Sequence, residues 1–215
     1  MPDGLLEFAT RALSGDEDRV DGVAVAIVLD NVDMTGEARV QVQLPWLPGI
    51  EPWARVAVPV AGPSRGFYIL PQVGDEVLVA FEHGDVKAPY VVGSLWNGRD
   101  KPPTTEPNDA ESKVILQTEQ GHVIQLDDLE QSLTITTPSG QKITADQQKI
   151  ELEAGSAKAT LETSGQIKLE AETEIELKAS SIKLNGTTVD VKASSSLSLQ
   201  GSASCTVQGG VVKIN

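Results

Sequence analysis

The sequence predicts an all-β protein in two parts, a small closed barrel followed by a rod built from a short strand repeat. Three observations predict it. Aromatic residues are only 4% of a chain that is 40% hydrophobic, so burial rests on Val, Ile, Leu and Ala, which suit narrow strand packing. Residues 22–97 divide into five segments of alternating apolar residues, separated by Gly and Pro. After about residue 140 an apolar pair recurs roughly every eight residues.

Taken in order, residues 1–20 open with Leu5, Leu6, Phe8, Ala9 and Leu13 at helical spacing, with Asp3 placed as an N-cap and Gly15 as a stop. A helix this short is marginal alone and is expected to dock on something. Residues 21–98 form the barrel. Its strands are expected at 23–29, 38–44, 53–60, 76–81 and 90–96, with turns at Leu47-Pro48-Gly49, Gly62-Pro63-Ser64 and 71–75. Five short strands with no helical insert fit an OB-fold. Residues 99–113 are rich in Pro, Gly, Asp and Ser, and Pro102, Pro103 and Pro107 predict an extended linker.

Residues 114–215 contain the repeat. Ile143, Ile150, Ala159, Ile167, Ile175, Ile182, Val189, Leu197, Cys205 and Val212 stand seven to nine residues apart. Most are followed two positions later by a second small or apolar residue, as in Ile182/Leu184 and Val212/Ile214. That alternation marks a strand repeat. Eight residues cover one face of a coil, and no feature recurs at three times that interval to mark a single-chain solenoid. Three chains winding together, each supplying one face per layer, make every unit equivalent and close an apolar prism. The expectation is a trimeric, intertwined β-helix whose neighbouring strands pair across chains. Its core would hold Ile167, Ile175, Ile182, Val189, Leu197, Cys205 and Val212, with Glu170, Glu172, Glu174, Glu176 and Lys178 facing outward.

A formal charge of −14 argues against nucleic acid as a partner and against docking on an anionic membrane. The single Cys205 excludes an intrachain disulfide framework, and with only His83 and His122 a zinc site is not expected. No cofactor is expected. No segment reaches the ~20 apolar residues of a membrane span, and the N-terminus lacks a signal-peptide pattern. The four glutamates at 170–176 alternate with Ala171, Thr173 and Ile175 and so read as a solvated face, and nothing suggests the cleft that glycoside hydrolysis needs between two carboxylates. His122 with Asp127 and Asp128 lacks a companion nucleophile motif and reads as a turn. Glu82-His83-Gly84-Asp85 reads as a tight turn, with Gly84 at positive φ. Trp46, Trp53 and Trp96 offer a stacking platform for single strands, but in so acidic a chain they are assigned to packing.

The segment Ala38-Arg39-Val40-Gln41-Val42-Gln43-Leu44-Pro45-Trp46, the run Pro71-Gln72-Val73-Gly74-Asp75-Glu76-Val77-Leu78-Val79-Ala80-Phe81 and the close Val91-Val92-Gly93-Ser94-Leu95-Trp96-Asn97 resemble the phage baseplate assembly protein V / VgrG family. Thr118-Glu119-Gln120-Gly121-His122 with Asp127-Asp128 is similar to that family's entry into its β-helix. The resemblance implies a non-enzymatic, homotrimeric central spike of a contractile injection machine. Such a spike is made in the cytoplasm and assembled into the baseplate of a phage tail or phage-tail-like particle. It implies a hub as a separate chain, which Leu5, Leu6 and Phe8 would meet, along with tube and baseplate proteins. The end of the chain, Val211, Val212, Lys213, Ile214 and Asn215, has no His and closes on an apolar pair, so a separate PAAR-like tip protein is expected to cap it. The target envelope would be contacted mechanically. A β-helical, polysaccharide-degrading tailspike-type enzyme is the alternative, and would need larger coils and a groove with paired acids. An OB-type binding module on a stalk is a third reading, and would need a basic face.

Overall fold

The computed structural model describes residues 19–214, so the expected helix with Leu5, Leu6 and Phe8, and also Asn215, lie outside the described residues. Five strands close a barrel in the order β1 (Val23–Asp30), β2 (Val40–Gln43), β3 (Trp53–Val56), β7 (Pro89–Leu95), β6 (Glu76–Phe81). All neighbours are antiparallel except β3 and β7. β3 ends at Val56, short of the residue 60 expected from the sequence, and a small hairpin, β4 (Ala61–Gly62) with β5 (Arg65–Gly66), surrounds the expected turn at Gly62-Pro63-Ser64.

Period two fills the barrel. Ala26 and Val28 from β1, Val40 and Val42 from β2, Ala54 from β3, Val77 and Val79 from β6 and Val91 from β7 point inward and are fully buried with Leu44. Trp46 packs on this core with its ring edge-on to Phe81, centroids 6.4 Å apart. Trp53 lies under the Arg39 guanidinium at 5.9 Å, and Trp96 is exposed. The three indoles therefore do not build one platform. Arg39 is also fixed by Asp33, whose carboxylate accepts from Arg39 Nε at 3.1 Å and from the Thr35 hydroxyl at 2.7 Å. These charge-assisted bonds hold the Asp33 carboxyl well below the usual carboxylate range and pin the β1–β2 connection.

The turn after β6 is a single 3-10 turn, Glu82–Gly84, in which His83 as well as Gly84 takes positive φ. A Cβ on Gly84 would come within 3.0 Å of Arg19, which bridges to Asp85. Glycine here lets the entering chain lie against the barrel.

The linker contains a one-turn helix, α1 (Asp109–Ser112), and is not extended throughout. Asp109 accepts from Thr104 Oγ1 at 2.5 Å and pairs with Lys113 at 2.9 Å, an acid at the start and a cation at the end of one helical turn.

A seven-stranded antiparallel meander follows: β8 (Lys113–Gln117), β9 (Val123–Asp127), β10 (Ser132–Thr136), β11 (Lys142–Ala145), β12 (Lys149–Ala154), β13 (Ala157–Glu162) and β14 (Ile167–Glu170). Every strand pairs with its sequence neighbour in the same chain. This corrects the expectation that neighbouring strands pair across chains in this stretch. The cause lies in the turns. Gly121, Gly140, Gly155 and Gly165 reverse the chain at positive φ, Gln131 does so between β9 and β10, and the side chain and backbone of Asp146 close the β11–β12 turn. Gly186, Gly201, Gly209 and Gly210 do not take positive φ, and residues 171–214 contain bends but no strand pairing within the described chain.

Candidate assembly interface

The meander separates its side chains by chemistry. One face carries two unbroken rows across all seven strands. The first row runs Val114, Leu126, Leu133, Ala145, Ile150, Leu161, Ile167. The second runs Leu116, Ile124, Ile135, Ile143, Leu152, Ala159, Leu169. At ~4.8 Å per strand the double row is about 29 Å long. Its large residues other than Ile135 are exposed, with Ile150 at 48%, Leu152 at 44% and Ile167 at 69%. An apolar strip of this length on a single chain is the mark of an interface.

The other face is polar apart from Ile115 and Val123, and it is the better covered of the two. Glu151 is buried between Lys149 at 2.7 Å and Lys158 at 2.9 Å, and Lys158 also reaches Glu153 at 3.0 Å. The two ammonium groups hold the Glu151 carboxyl down at about 2 and raise the Lys158 ammonium above its ordinary value. Lys168 pairs with Glu162 at 2.7 Å one strand further on. The aliphatic stems of these lysines cover the sheet while their charges stay paired. The sheet therefore has a face that needs no partner and a face that does.

Among the expected site residues, Ile167 lies on the apolar face with Leu169, and Lys168 and Glu170 lie on the polar one. Past Glu170 the chain bends at Glu172 and Thr173, and Glu172, Glu174, Glu176 and Lys178 are all exposed. Ile175, Ile182, Val189, Leu197 and Val212 are each just over half exposed in the single chain, and Cys205 is exposed too. Ile175 and Glu174 close the end of an apolar trough of about 510 Å³ that Ile143, Leu152, Ala159 and Leu169 line. Val211, Lys213 and Ile214 are exposed at the described end of the chain.

His122 and Asp127 stand at opposite ends of β9, so the structure does not bring them together. His122 closes the β8–β9 hairpin through its N–H to Thr118 Oγ1 at 3.1 Å. Asp127 is buried and accepts from the N–H groups of Leu129 and Glu130, both at 3.0 Å, which caps the next turn. Among the described residues, no three His, Cys, Asp or Glu side chains are grouped to hold a metal ion, and no helix is long and apolar enough to cross a membrane.

The sequence reading began the apolar repeat at Ile143 and missed its first three strands. The pairs Val114/Leu116, Ile124/Leu126 and Leu133/Ile135 were the available signal, at slightly wider spacing. The Glu151 ion-pair cluster left no such signal, because its members lie on two strands whose register no local pattern specifies.

A barrel with a complete core, joined to a sheet whose apolar face is largely exposed, defines a subunit built to associate. Comparison with known proteins gives the class a family. Residues 24–96 match a family model described as the type VI secretion system/phage-baseplate injector OB domain, and residues 113–215 match the phage baseplate V C-terminal trimerisation domain. The two matches span most of the chain, which belongs to the phage baseplate V / VgrG-like family. The chain is 32% identical over 111 residues to the type VI secretion system spike protein VgrG3 of Vibrio cholerae serotype O1 El Tor, covering 47% of this chain and 11% of that one. It is equally similar, over the same length, to the actin cross-linking toxin VgrG1 of the classical Vibrio cholerae strain, covering 47% of this chain and 10% of the toxin. With the spike protein VgrG2a of Pseudomonas aeruginosa it shares 32% identity over 100 residues, 42% of this chain and 12% of that protein. The chain thus matches only about a tenth of the length of these relatives.

Proposed function

We propose that the chain is the homotrimeric central spike of a contractile injection machine, without enzymatic activity of its own. In this reading it joins a hub and tube to a tip and punctures the target envelope when the sheath contracts. The observation that carries it is the exposed double row on the 113–170 meander, in a segment whose family model is a trimerisation domain. Three copies facing one another bury all three strips, and the paired charges of the other face turn to solvent. Residues 171–214, extended and unpaired within the chain, would then pair between chains and continue the rod.

The division of labour follows. Residues 1–20 would dock on a separate hub through Leu5, Leu6 and Phe8. Residues 21–98 form the barrel at the base, 99–113 the linker and 114–215 the rod. Ile167, Ile175, Ile182, Val189, Leu197, Cys205 and Val212 would fill its core. Residues 211–215 would seat a PAAR-like tip protein. The particle is a phage tail or a phage-tail-like assembly. A force-bearing role suits this build, because pulling three chains apart breaks their hydrogen bonds and uncovers the apolar strips at the same time.

Immunogold labelling of contractile particles from the source organism tests the reading. An antibody against residues 179–214 should mark one spot on the axis at the baseplate end. Particles that lack the chain by mass spectrometry, or label along the sheath, contradict it.

A further inference from the structure

The net charge hides a reversal along the chain. From residue 178 onward there are four lysines, Lys178, Lys183, Lys192 and Lys213, against one acid, Asp190. The segment therefore carries +3 per chain and +9 per trimer, and residues 1–177 carry −17 per chain. The step is abrupt, since Glu170, Glu172, Glu174 and Glu176 lie directly before Lys178.

Period two sets where the lysines point. Lys183 sits between Ile182 and Leu184, and Lys213 between Val212 and Ile214. Lys178 follows Leu177 and Lys192 follows Val191, on the same alternation. With the apolar pairs turned to the rod axis, all four project from its flanks. They are spread over some four to five units of the repeat, or about 20 Å at one strand spacing per unit. A protein cap on the end face would cover only the last unit, and so would leave three of the four free. Lysines are single charges on flexible stems, suited to a fluid array of phosphates more than to one shaped acidic pocket. Screening over about 8 Å at physiological salt keeps the acidic base of the rod from cancelling the field around Lys192 and Lys213, which lie about two repeat units or more beyond Glu176.

We propose that the flank of the rod from Lys178 to Lys213 is a docking surface for the headgroups of an anionic phospholipid bilayer, with the 170–176 glutamates marking its upper limit. This rests on the spike reading, which brings this end of the molecule to the envelope. It refines the sequence-level conclusion, in which the charge of the whole chain spoke against anionic membranes. A polybasic cluster of this size is enough for salt-sensitive binding to an acidic lipid surface.

The test uses the full-length protein, with sedimentation velocity run on every sample. Vesicles of phosphatidylcholine mixed with phosphatidylglycerol should co-sediment the trimer at low salt, and vesicles of phosphatidylcholine alone should not. The variant K178Q/K183Q/K192Q/K213Q should remain trimeric and lose binding by roughly tenfold or more, as should the parent at high salt. The double variant K183Q/K213Q should fall between. K87Q/K101Q/K142Q, which removes lysines elsewhere, should bind like the parent. A trimer that ignores phosphatidylglycerol overturns the proposal and assigns the lysines to a protein partner. Binding that survives the quadruple change overturns it as well. A monomer in every sample overturns the spike reading itself, and this proposal with it.

Discussion

Val77 and Leu152 each sit in an antiparallel strand with apolar residues two positions away, yet Val77 is fully buried and Leu152 is 44% exposed. The barrel rolls one sheet into a closed ring, so five strands supply both sides of a core. The meander stays open, and among the described residues its apolar face is left largely exposed, with Glu174 and Ile175 reaching only one end of it. Alternation is thus the same instruction in both regions, and closure decides whether one chain can carry it out. The barrel should behave as a unit whose stability is independent of concentration, whereas the rod should exist only as an assembly.

Breaking the rod alone gives the largest effect. In the proposed trimer, Leu152→Asp places three carboxylates against one another in a dry prism, a cost of several kcal/mol for each unpaired buried charge. The trimer should be lost by light scattering, and the barrel's near-ultraviolet circular dichroism, from Trp46 and Trp53, should persist. Thr144→Asp, on the other face and one strand away, should leave the trimer intact. Loss of assembly in both variants would mean that the wrong face has been assigned to the interior.

Breaking the barrel alone comes next. Val77→Ala removes two methyl groups' worth of packing from a fully buried site, which costs about 2 kcal/mol with the cavity included. Calorimetry should show the barrel transition fall while the rod transition stays in place. A common shift in both would show that the two parts unfold as one.

The polar face of the rod is sensitive to acid. Glu151 titrates at about 2 in the folded chain, below its ordinary 4.5, because Lys149 and Lys158 favour its charged form. Its contribution is therefore present above about pH 4.5 and is lost as pH falls towards 2. Glu151→Gln should flatten the acid side of the rod's stability profile. Asp33→Asn should do the same for the barrel alone, since Arg39 and Thr35 depress that carboxyl. Glu174→Gln should have the smallest effect, within about 0.5 kcal/mol at an exposed position.

Much of this contrast was legible in the sequence. Val40, Val42 and Leu44 announced a strand by alternation, and all three are core residues. The apolar pairs from Ile143 to Leu169 announced one face, and they share one face. Pairing was not legible, because alternation states which side a residue takes and is silent on which chain lies beside it. That information sits in backbone conformation at the turns, where Gly140 and Gly165 reverse the chain and Gly186 and Gly201 do not. The sequence shows Gly at all four positions alike. The Asp33–Arg39 clamp and the Glu151 cluster were also hidden, since each depends on register or loop geometry.

The central claim is that the rod's apolar face is satisfied only between chains. Sedimentation equilibrium of the full chain across a wide dilution series measures this directly. The account predicts a single species of three times the chain mass, folded at every concentration where it stays assembled. A folded monomer that retains the strand content of residues 113–170 at any dilution would contradict it.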